Sequence, residues 1–188
     1  MTKIWTSNLA PGHFTEACDL GDDDVVEQVH TFKLYSCEPI TGRLPEFAIE
    51  INSRHPPTDY VRHGSWLVIS ARVRQILEEF DVPAQYFETR VIYQKQPYTA
   101  EKFFFMNLLD RVDCFDLERG ECEVDQHEDN SFSLENIEVF AIDEEKAAGH
   151  HLFRLTGSET DICVSDELAE RIEQENLRGI WCKDQSKY

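Results

Sequence analysis

A few residues in this sequence are of types that could carry out catalysis. Cys114 together with His150 or His151 could supply a thiol and a base, and Asp113 with Asp116 could supply a pair of carboxylates. A cysteine becomes a good nucleophile when a base takes its proton, but nothing in the sequence brings these residues together. The two aspartates are an odd number of positions apart, which on a strand places them on opposite faces. Neither set therefore predicts an active site.

Metal binding is the other chemistry that the histidines could support. The run His127-Glu128-Asp129 and the pair His150-His151 contain ligand types, although charged loops commonly carry such runs. The six cysteines include no CxxC pair of the kind that zinc fingers and ribbons use. The sequence also lacks GxSxG, HExxH and phosphate-binding glycine-loop motifs. We therefore predict no catalytic residue, no metal site and no cofactor, and a protein that is not an enzyme.

Net charge is the strongest compositional signal. The chain of 188 residues has 18 Lys and Arg against 37 Asp and Glu, a formal net charge of −19. Thirteen acids and one base, Arg119, lie between Asp113 and Glu145, so this stretch alone has a net charge of −12. Such a field repels nucleic acid, and it suits either simple solubility or a basic protein partner. A second acidic cluster comprises Asp19, Asp22, Asp23, Asp24 and Glu27.

The sequence also bounds where the protein works. No apolar run approaches the roughly 18 residues that a membrane span needs, and the first residues lack the basic and apolar regions of a secretory signal. We therefore expect a cytoplasmic protein without membrane contact, whose cysteines are reduced. The chain has enough apolar residues for one compact unit.

Two segments, residues 67–84 and 162–179, repeat one pattern at an offset of 95 positions. Each runs from a short apolar stretch into a serine, Ser70 or Ser165, and then into apolar residues at helical spacing. A serine in this position accepts a hydrogen bond from an amide of the first helical turn. The pattern predicts a strand–serine–helix unit in which the serines are caps without a catalytic role, followed each time by another strand. The two units are predicted at 66–82 and 161–177.

The rest of the chain predicts more strands than helices. Strand signals are accompanied by an acidic loop over 118–130 and a hairpin around Asp110-Arg111. A strand near Ile4, a weak helix near Val25–Val29, and loops with edge strands, broken by prolines, over residues 30–57 are expected in the first third. The predicted strands are 86–93, 103–109, 112–117, 137–142 and 151–156.

These elements indicate the α+β class, with mixed, largely antiparallel sheets and a few short helices. The two related strand–helix lobes could pack as one unit. We expect residues 1–60 to form a variable, irregular part with edge strands, and residues 61–188 to form the α+β domain, within one compact domain overall.

Several segments of the sequence resemble a bacterial family. FFFMNLLDRVDCFDLERGE has an apolar strand, an Asn and a Val-Asp-small-apolar-Asp-Leu run, and WLVISARVRQILEEF is similar to the family's earlier strand–helix. HLFRLTGSETDICVSDELAERIEQENLRGIWC looks like its closing block, with Leu-Phe-Arg-Leu, a Gly-Ser turn, a strand, a serine, a helix and a Leu-x-Gly-apolar-aromatic end. The family is the immunity-eleven family of polymorphic toxin systems, and the resemblance covers about residues 60–182.

The resemblance implies a bacterial immunity protein that is not a catalyst. Such proteins are encoded beside a toxin delivered by cell contact or by a secretion system such as type VI. They bind the toxic domain directly and stoichiometrically, and so protect the producing cell and its kin.

For the toxin contact, the concentration of charge favours Asp125, Glu128 and Asp129, followed by Asp22, Asp23 and Asp24, facing a basic surface. Two alternatives stay open: an adaptor or chaperone for a secreted effector, and a small metal-dependent enzyme using His127, Asp129 and the histidine pair. The sequence leaves undetermined the toxin's chemistry, the oligomeric state and whether both halves of the repeat contact the partner.

Overall fold

The protein has the predicted α+β fold in a computed structural model, which describes residues 1–7, 17–19, 34–41, 47–63 and 66–188. The described part contains two α-helices, α1 (Ala71–Glu79) and α2 (Asp166–Gln174), and a short 3-10 helix at Gln185–Lys187. Its strands form three sheets, and most neighbouring strands are antiparallel. The predicted weak helix at Val25–Val29 lies outside the described residues.

A seven-stranded sheet occupies the first half of the fold, with strand order β2-β3-β6-β8-β5-β4 and β7 paired to β6. All its neighbours are antiparallel except β3 and β6, which run parallel. Because β3 pairs on both sides, it is an interior strand where the prolines around it had indicated an edge. The strands are β2 (Ala17–Asp19), β3 (Phe47–Ile51), β4 (Tyr60–His63), β5 (Trp66–Ser70), β6 (Ala84–Tyr93), β7 (Gln96–Pro97) and β8 (Phe103–Leu108).

A five-stranded sheet and a separate two-stranded ribbon complete the architecture. The five-stranded sheet has the order β14-β1-β13-β12-β9, and its β9 and β12 run parallel. The ribbon pairs β10 with β11. The strands are β1 (Lys3–Ser7), β9 (Arg111–Val112), β10 (Glu121–Gln126), β11 (Phe132–Val139), β12 (Leu152–Leu155), β13 (Ser158–Val164) and β14 (Ile180–Asp184). The expected strand at Ile4 is therefore confirmed as β1.

The predicted repeat of strand, serine and helix is confirmed at both places. Ser70 Oγ accepts a hydrogen bond from the amide of Val73 at 3.4 Å, and Ser165 Oγ accepts one from Leu168 at 3.2 Å. Both helices also end alike, because Asp81 and Asn176, again 95 positions apart, have positive φ angles of 51° and 52°. A left-handed residue just past the last turn is a common helix terminator. The serines are caps at the starts of equivalent helices.

The two units also have the same topology within their sheets. A further strand follows each helix, as predicted, and one antiparallel strand separates it from the strand before the helix. That middle strand is β8 between β5 and β6, and β1 between β13 and β14. An antiparallel neighbour precedes each unit, β4 beside β5 and β12 beside β13. The fold is thus a duplicated frame of two strand–helix–strand halves.

One core joins the two halves. It contains side chains from both sheets and both helices, and the helices are linked at their surface by an ion pair of 2.8 Å between Arg171 and Glu79. The apolar positions that match across the repeat line this core together. Burying both sets in one interior makes the halves a single unit. The matched pairs are Leu67 and Ile162, Ile69 and Val164, Val73 and Leu168, Leu77 and Ile172, and Val82 and Leu177.

The predicted hairpin around Asp110-Arg111 is wrong. Strand β8 pairs with β5 and β6, whereas β9, after a turn of two residues, pairs with β12 in the other sheet. Every residue of β8 is buried, so both of its faces are covered by neighbouring parts of the protein. The chain therefore crosses from one sheet to the other at Asp110. The division of the chain at residue 60 stays a prediction.

The turn between β6 and β7 gives a prediction about stability. Gln94 and Lys95 have φ angles of 51° and 62°, as a type I′ turn requires, but this turn favours asparagine followed by glycine. The double substitution Gln94→Asn with Lys95→Gly should raise the free energy of unfolding by about 1 kcal/mol, and the thermal midpoint by about 2–4 °C. Lys95→Ala is the control, since it removes the charge without relieving the backbone. Equal melting temperatures for both variants would contradict the prediction.

Candidate functional site

The residues that could have formed a thiol–base couple have separate surroundings. The Cys114 side chain is fully buried, and burial raises its pKa to about 12, so it remains a thiol at neutral pH. His150 Nδ1 lies 2.8 Å from a carboxylate oxygen of Asp110, and His151 Nδ1 lies 2.9 Å from Ser165 Oγ. The Asp116 carboxylate accepts hydrogen bonds from the amides of the turn that follows it.

The histidine pair has a structural explanation in the repeat. The Ser165 amide donates to the His151 carbonyl at 2.9 Å, and the Ser70 amide donates to the Asp59 carbonyl at 2.8 Å. The side chains correspond too, since Ser70 Oγ lies 3.0 Å from Asp59 Oδ1. Asp59 lies immediately before β4 and His151 immediately before β12, the equivalent strands that precede the two units. His151 thus fixes a helix cap, as Asp59 does in the other half.

The same histidines line a small polar cleft of about 410 Å³ beside the end of α1, together with Asp81 and Asp110. Among the described residues, no group of three or more His, Cys, Asp or Glu side chains is arranged to hold a metal ion. Each histidine of the cleft is held by its own hydrogen bond, His150 with Asp110 and His151 with Ser165, which suits a structural role.

The predicted acidic loop over residues 118–130 is wrong in part, because its middle forms a strand. Glu121–Gln126 form β10, which pairs with β11 in the two-stranded ribbon. We call Glu121–Val139 the acidic ribbon, because it has seven Asp and Glu and no Lys or Arg. The seven acidic side chains are all exposed.

The pairing register places most of these carboxylates on one face. Asp125 lies opposite Ser133, Glu123 opposite Glu135, and Glu121 opposite Val139. Residues opposite each other point to the same side of a sheet, so this outer face is acidic except for Ser133 and Val139, which is 42% exposed. The other face is largely apolar and turns toward the body of the protein through Leu134, which is buried there with Cys122 and Phe132 against it.

Within the described residues, no lysine or arginine balances the charge of the ribbon. None of its seven acids forms an ion pair with a described Lys or Arg, and Arg119, the base nearest in sequence, pairs with Asp116 and donates to the Ile142 carbonyl. Glu123 directly opposes Glu135, and like charges in that arrangement destabilise a sheet. The side-chain amide of Asn136 donates a hydrogen bond of 2.8 Å to the Glu123 carboxylate, which partly offsets this repulsion.

The structure describes three of the six predicted contact residues. Asp125 lies on the outer face of β10, and Glu128 and Asp129 lie in the exposed loop at the ribbon's tip. Asp129 also closes that loop, because its Oδ1 accepts hydrogen bonds from the amide and hydroxyl of Ser131, which lower the pKa of the Asp129 carboxyl. Asp22, Asp23 and Asp24 lie outside the described residues.

Sequence reasoning missed the acids that flank this tip on the same ribbon. Glu121 and Glu123 alternate with Cys122 and Val124, and this period of two is the signal that could have found them. Glu135 could not have been found in this way, because its position opposite Glu123 depends on the pairing register and on a bulge near Asn136, whose φ is 48°.

None of the described helices is long and apolar enough to cross a membrane. The geometry defines a class of protein, an α+β protein whose duplicated frame carries a separate acidic ribbon. The model of the Immunity protein family (Imm11) matches residues 39–187. The chain belongs to this immunity protein family, which confirms the resemblance and extends it beyond residues 60–182 at both ends. A search of curated proteins finds no match to the chain. Immunity protein families are generally not enzymes.

Proposed function

We propose that this protein neutralises a cognate bacterial toxin by binding it directly and stoichiometrically, with the acidic ribbon against a basic surface of the toxin. Membership of an immunity protein family supports the toxin-related role. We further propose that this binding takes place in the cytoplasm of the producing cell.

One observation carries the choice of surface: the acidic ribbon is a separate two-stranded sheet that pairs with neither sheet of the duplicated frame. The described elements of the two halves correspond from β4 and β12 onward, whereas the 39 residues between β9 and β12, 113–151, hold the ribbon as a two-stranded sheet separate from both larger sheets. This connection holds the −12 stretch between Asp113 and Glu145. Residues that a fold does not need for its frame are free to serve binding, as surface segments commonly do.

The ribbon carboxylates, which form no ion pair with a Lys or Arg in the part of the chain that the structure describes, favour a cationic partner on physical grounds. In the isolated protein, Glu123 and Glu135 repel each other, and a Lys or Arg of the toxin would remove that repulsion. Exposed charges of one sign also attract an oppositely charged protein over a distance of about 10 Å at moderate salt, which raises the association rate. Val139 on the same face adds an apolar contact.

The proposed contact residues are therefore Asp125, Glu128 and Asp129, with the outer-face acids of the ribbon beside them. Asp22, Asp23 and Asp24 remain part of the proposal as a second acidic group. Inhibition would follow when the ribbon covers the toxin's active cleft. Where the toxin acts on a polyanion, the carboxylates would take the place of its substrate.

Co-expression with the toxin encoded beside this protein tests the proposal. The toxin should kill cells when expressed alone and be tolerated when this protein is present, and the two should purify as a complex of fixed stoichiometry. A complex in which the toxin stays fully active would favour the adaptor or chaperone function. Protection without a complex would contradict direct binding.

A further inference from the structure

The turn between β12 and β13 lies directly beneath the acidic ribbon. Gly157 in this turn has a φ of +84°, and a Cβ added to it would lie 2.6 Å from Cε2 of Phe132 and 3.1 Å from Cγ of Leu134. Its carbonyl accepts a hydrogen bond of 2.7 Å from the Leu134 amide. Glycine supplies both the left-handed backbone and the close approach. The first residues of β11 thus pack directly against the backbone of the β12–β13 turn.

The ribbon is held to the frame at two levels. Near its base, Cys122 and Ile137 pack against the core cluster that also contains Phe153 and Cys163 of the five-stranded sheet. Nearer its tip, Phe132 and Leu134 contact Gly157. Six residues of β10 extend about 17 Å, so a small rotation about the base would displace the tip by several ångströms. The Gly157 contact opposes such a rotation.

We propose that Gly157 is a positioning residue that fixes the orientation of the acidic ribbon on the frame. This inference rests on the proposed function, since the orientation matters only if the ribbon binds a partner. A surface that is already ordered loses less conformational entropy on binding, so the free energy of binding is more favourable. The Gly-Ser turn of the closing block therefore has a role in presenting the binding surface.

Hydrogen exchange in the protein without toxin tests the contact itself. Gly157→Ala should make the ribbon amides exchange about tenfold faster than in the wild type, while the helices keep their protection. Gly149→Ala is the matched control, because Gly149 has a φ of +85° but nothing within 4 Å of an added Cβ. Equal ribbon exchange in the two variants would overturn the proposal.

Two variants of Phe132 test the same contact from the side of the ribbon. Phe132→Leu in the Gly157→Ala protein removes the ring atoms that the new Cβ would meet, and it should restore much of the protection. If Gly157→Ala fails to fold, Phe132→Ala loosens the same contact from the ribbon side and should again speed exchange in residues 121–139 alone. Unchanged exchange in Phe132→Ala would also overturn the proposal.

Toxin-binding kinetics separate positioning from simple stability. In the folded Gly157→Ala protein the carboxylates are unchanged, so the association rate should stay within about threefold, while dissociation becomes about tenfold faster. A residue that only stabilised the fold would lower the melting temperature and leave both rates of the folded protein unchanged. If the wild type does not bind the toxin, the proposed function fails, and hydrogen exchange still decides whether Gly157 holds the ribbon.

Discussion

Replacing Gly179 with alanine is expected to lower the free energy of unfolding by about 3–5 kcal/mol. Gly179 has a φ of +88°, and an added Cβ would lie 2.6 Å from the Tyr60 carbonyl oxygen and 2.6 Å from Thr58 Oγ1. The carbonyl belongs to strand β4, and the buried Thr58 hydroxyl donates to it at 2.7 Å. The carbonyl cannot move aside without disturbing the sheet, and the hydroxyl cannot move aside without losing its hydrogen bond to that carbonyl. The loss therefore combines backbone strain with steric overlap.

The same place links the two halves of the frame. The Arg178 amide donates to Asp59 Oδ2 at 2.8 Å, and Asp59 Oδ1 lies 3.0 Å from the hydroxyl of Ser70, the cap of α1. The loop between α2 and β14 in the second half is thus tied to the helix start of the first. A shift of Gly179 would strain both, so we expect Gly179→Ala to unfold in one cooperative transition at lower denaturant concentration.

Chemical denaturation followed by circular dichroism measures this loss. Gly149→Ala is again the matched control, because it imposes the same left-handed backbone on alanine without a close neighbour. Its expected loss is about 1 kcal/mol. If the free energy of unfolding falls equally in the two variants, the close approach of Gly179 to β4 does not contribute to the loss.

The duplicated frame was predictable because its signals are local. A capping serine, apolar residues at helical spacing and a stop at Asp81 or Asn176 lie within about 20 residues of one another, and the offset of 95 aligns them. The middle strand of each half was not predictable. Strand β8 follows α1 in the chain, whereas β1 precedes α2 by more than 150 residues. Pairing between strands so far apart leaves no local pattern.

The wrong hairpin at Asp110 has a related cause. Residues 103–109 and 112–117 are both apolar and separated by a short polar turn, which is the usual signal for a hairpin. Their apolar faces are buried against different sheets, and sequence periodicity does not identify the partner of a strand. Only the tertiary structure shows that this turn carries the chain from one sheet to the other.

The acidic surface was predictable as a concentration of charge, but its form was not. Asp and Glu are uncommon in strands, so a stretch rich in them is interpreted as a loop. Here Leu134 and Phe132 of the partner strand hold the ribbon on the protein, and β10 follows them through its pairing. The packing of one strand overrides the low strand preference of the other.

Reversing three charges at the ribbon's tip should have the largest effect on toxin binding. Changing Asp125, Glu128 and Asp129 to lysine replaces three negative charges with three positive ones where the proposed contact lies. Long-range attraction between complementary surfaces can raise association rates by 10- to 1,000-fold, so the variant should associate about 10- to 100-fold more slowly at low salt. The rate should also depend less on ionic strength, since less attraction remains to be screened. Stopped-flow association measured across a salt series gives both quantities.

A matched variant separates local contact from overall charge. Glu167, Glu170 and Glu173 are exposed on α2, away from the ribbon in sequence, and changing them to lysine alters the net charge by the same amount. If the toxin responds only to the whole field of a protein with net charge −19, both triple variants will slow association equally. If the ribbon is the contact, the α2 variant should keep most of the wild-type rate, because orientation and close pairing depend on where the charges lie. Unchanged kinetics in the ribbon variant would remove these three residues from the interface, and the acidic face would then serve solubility alone.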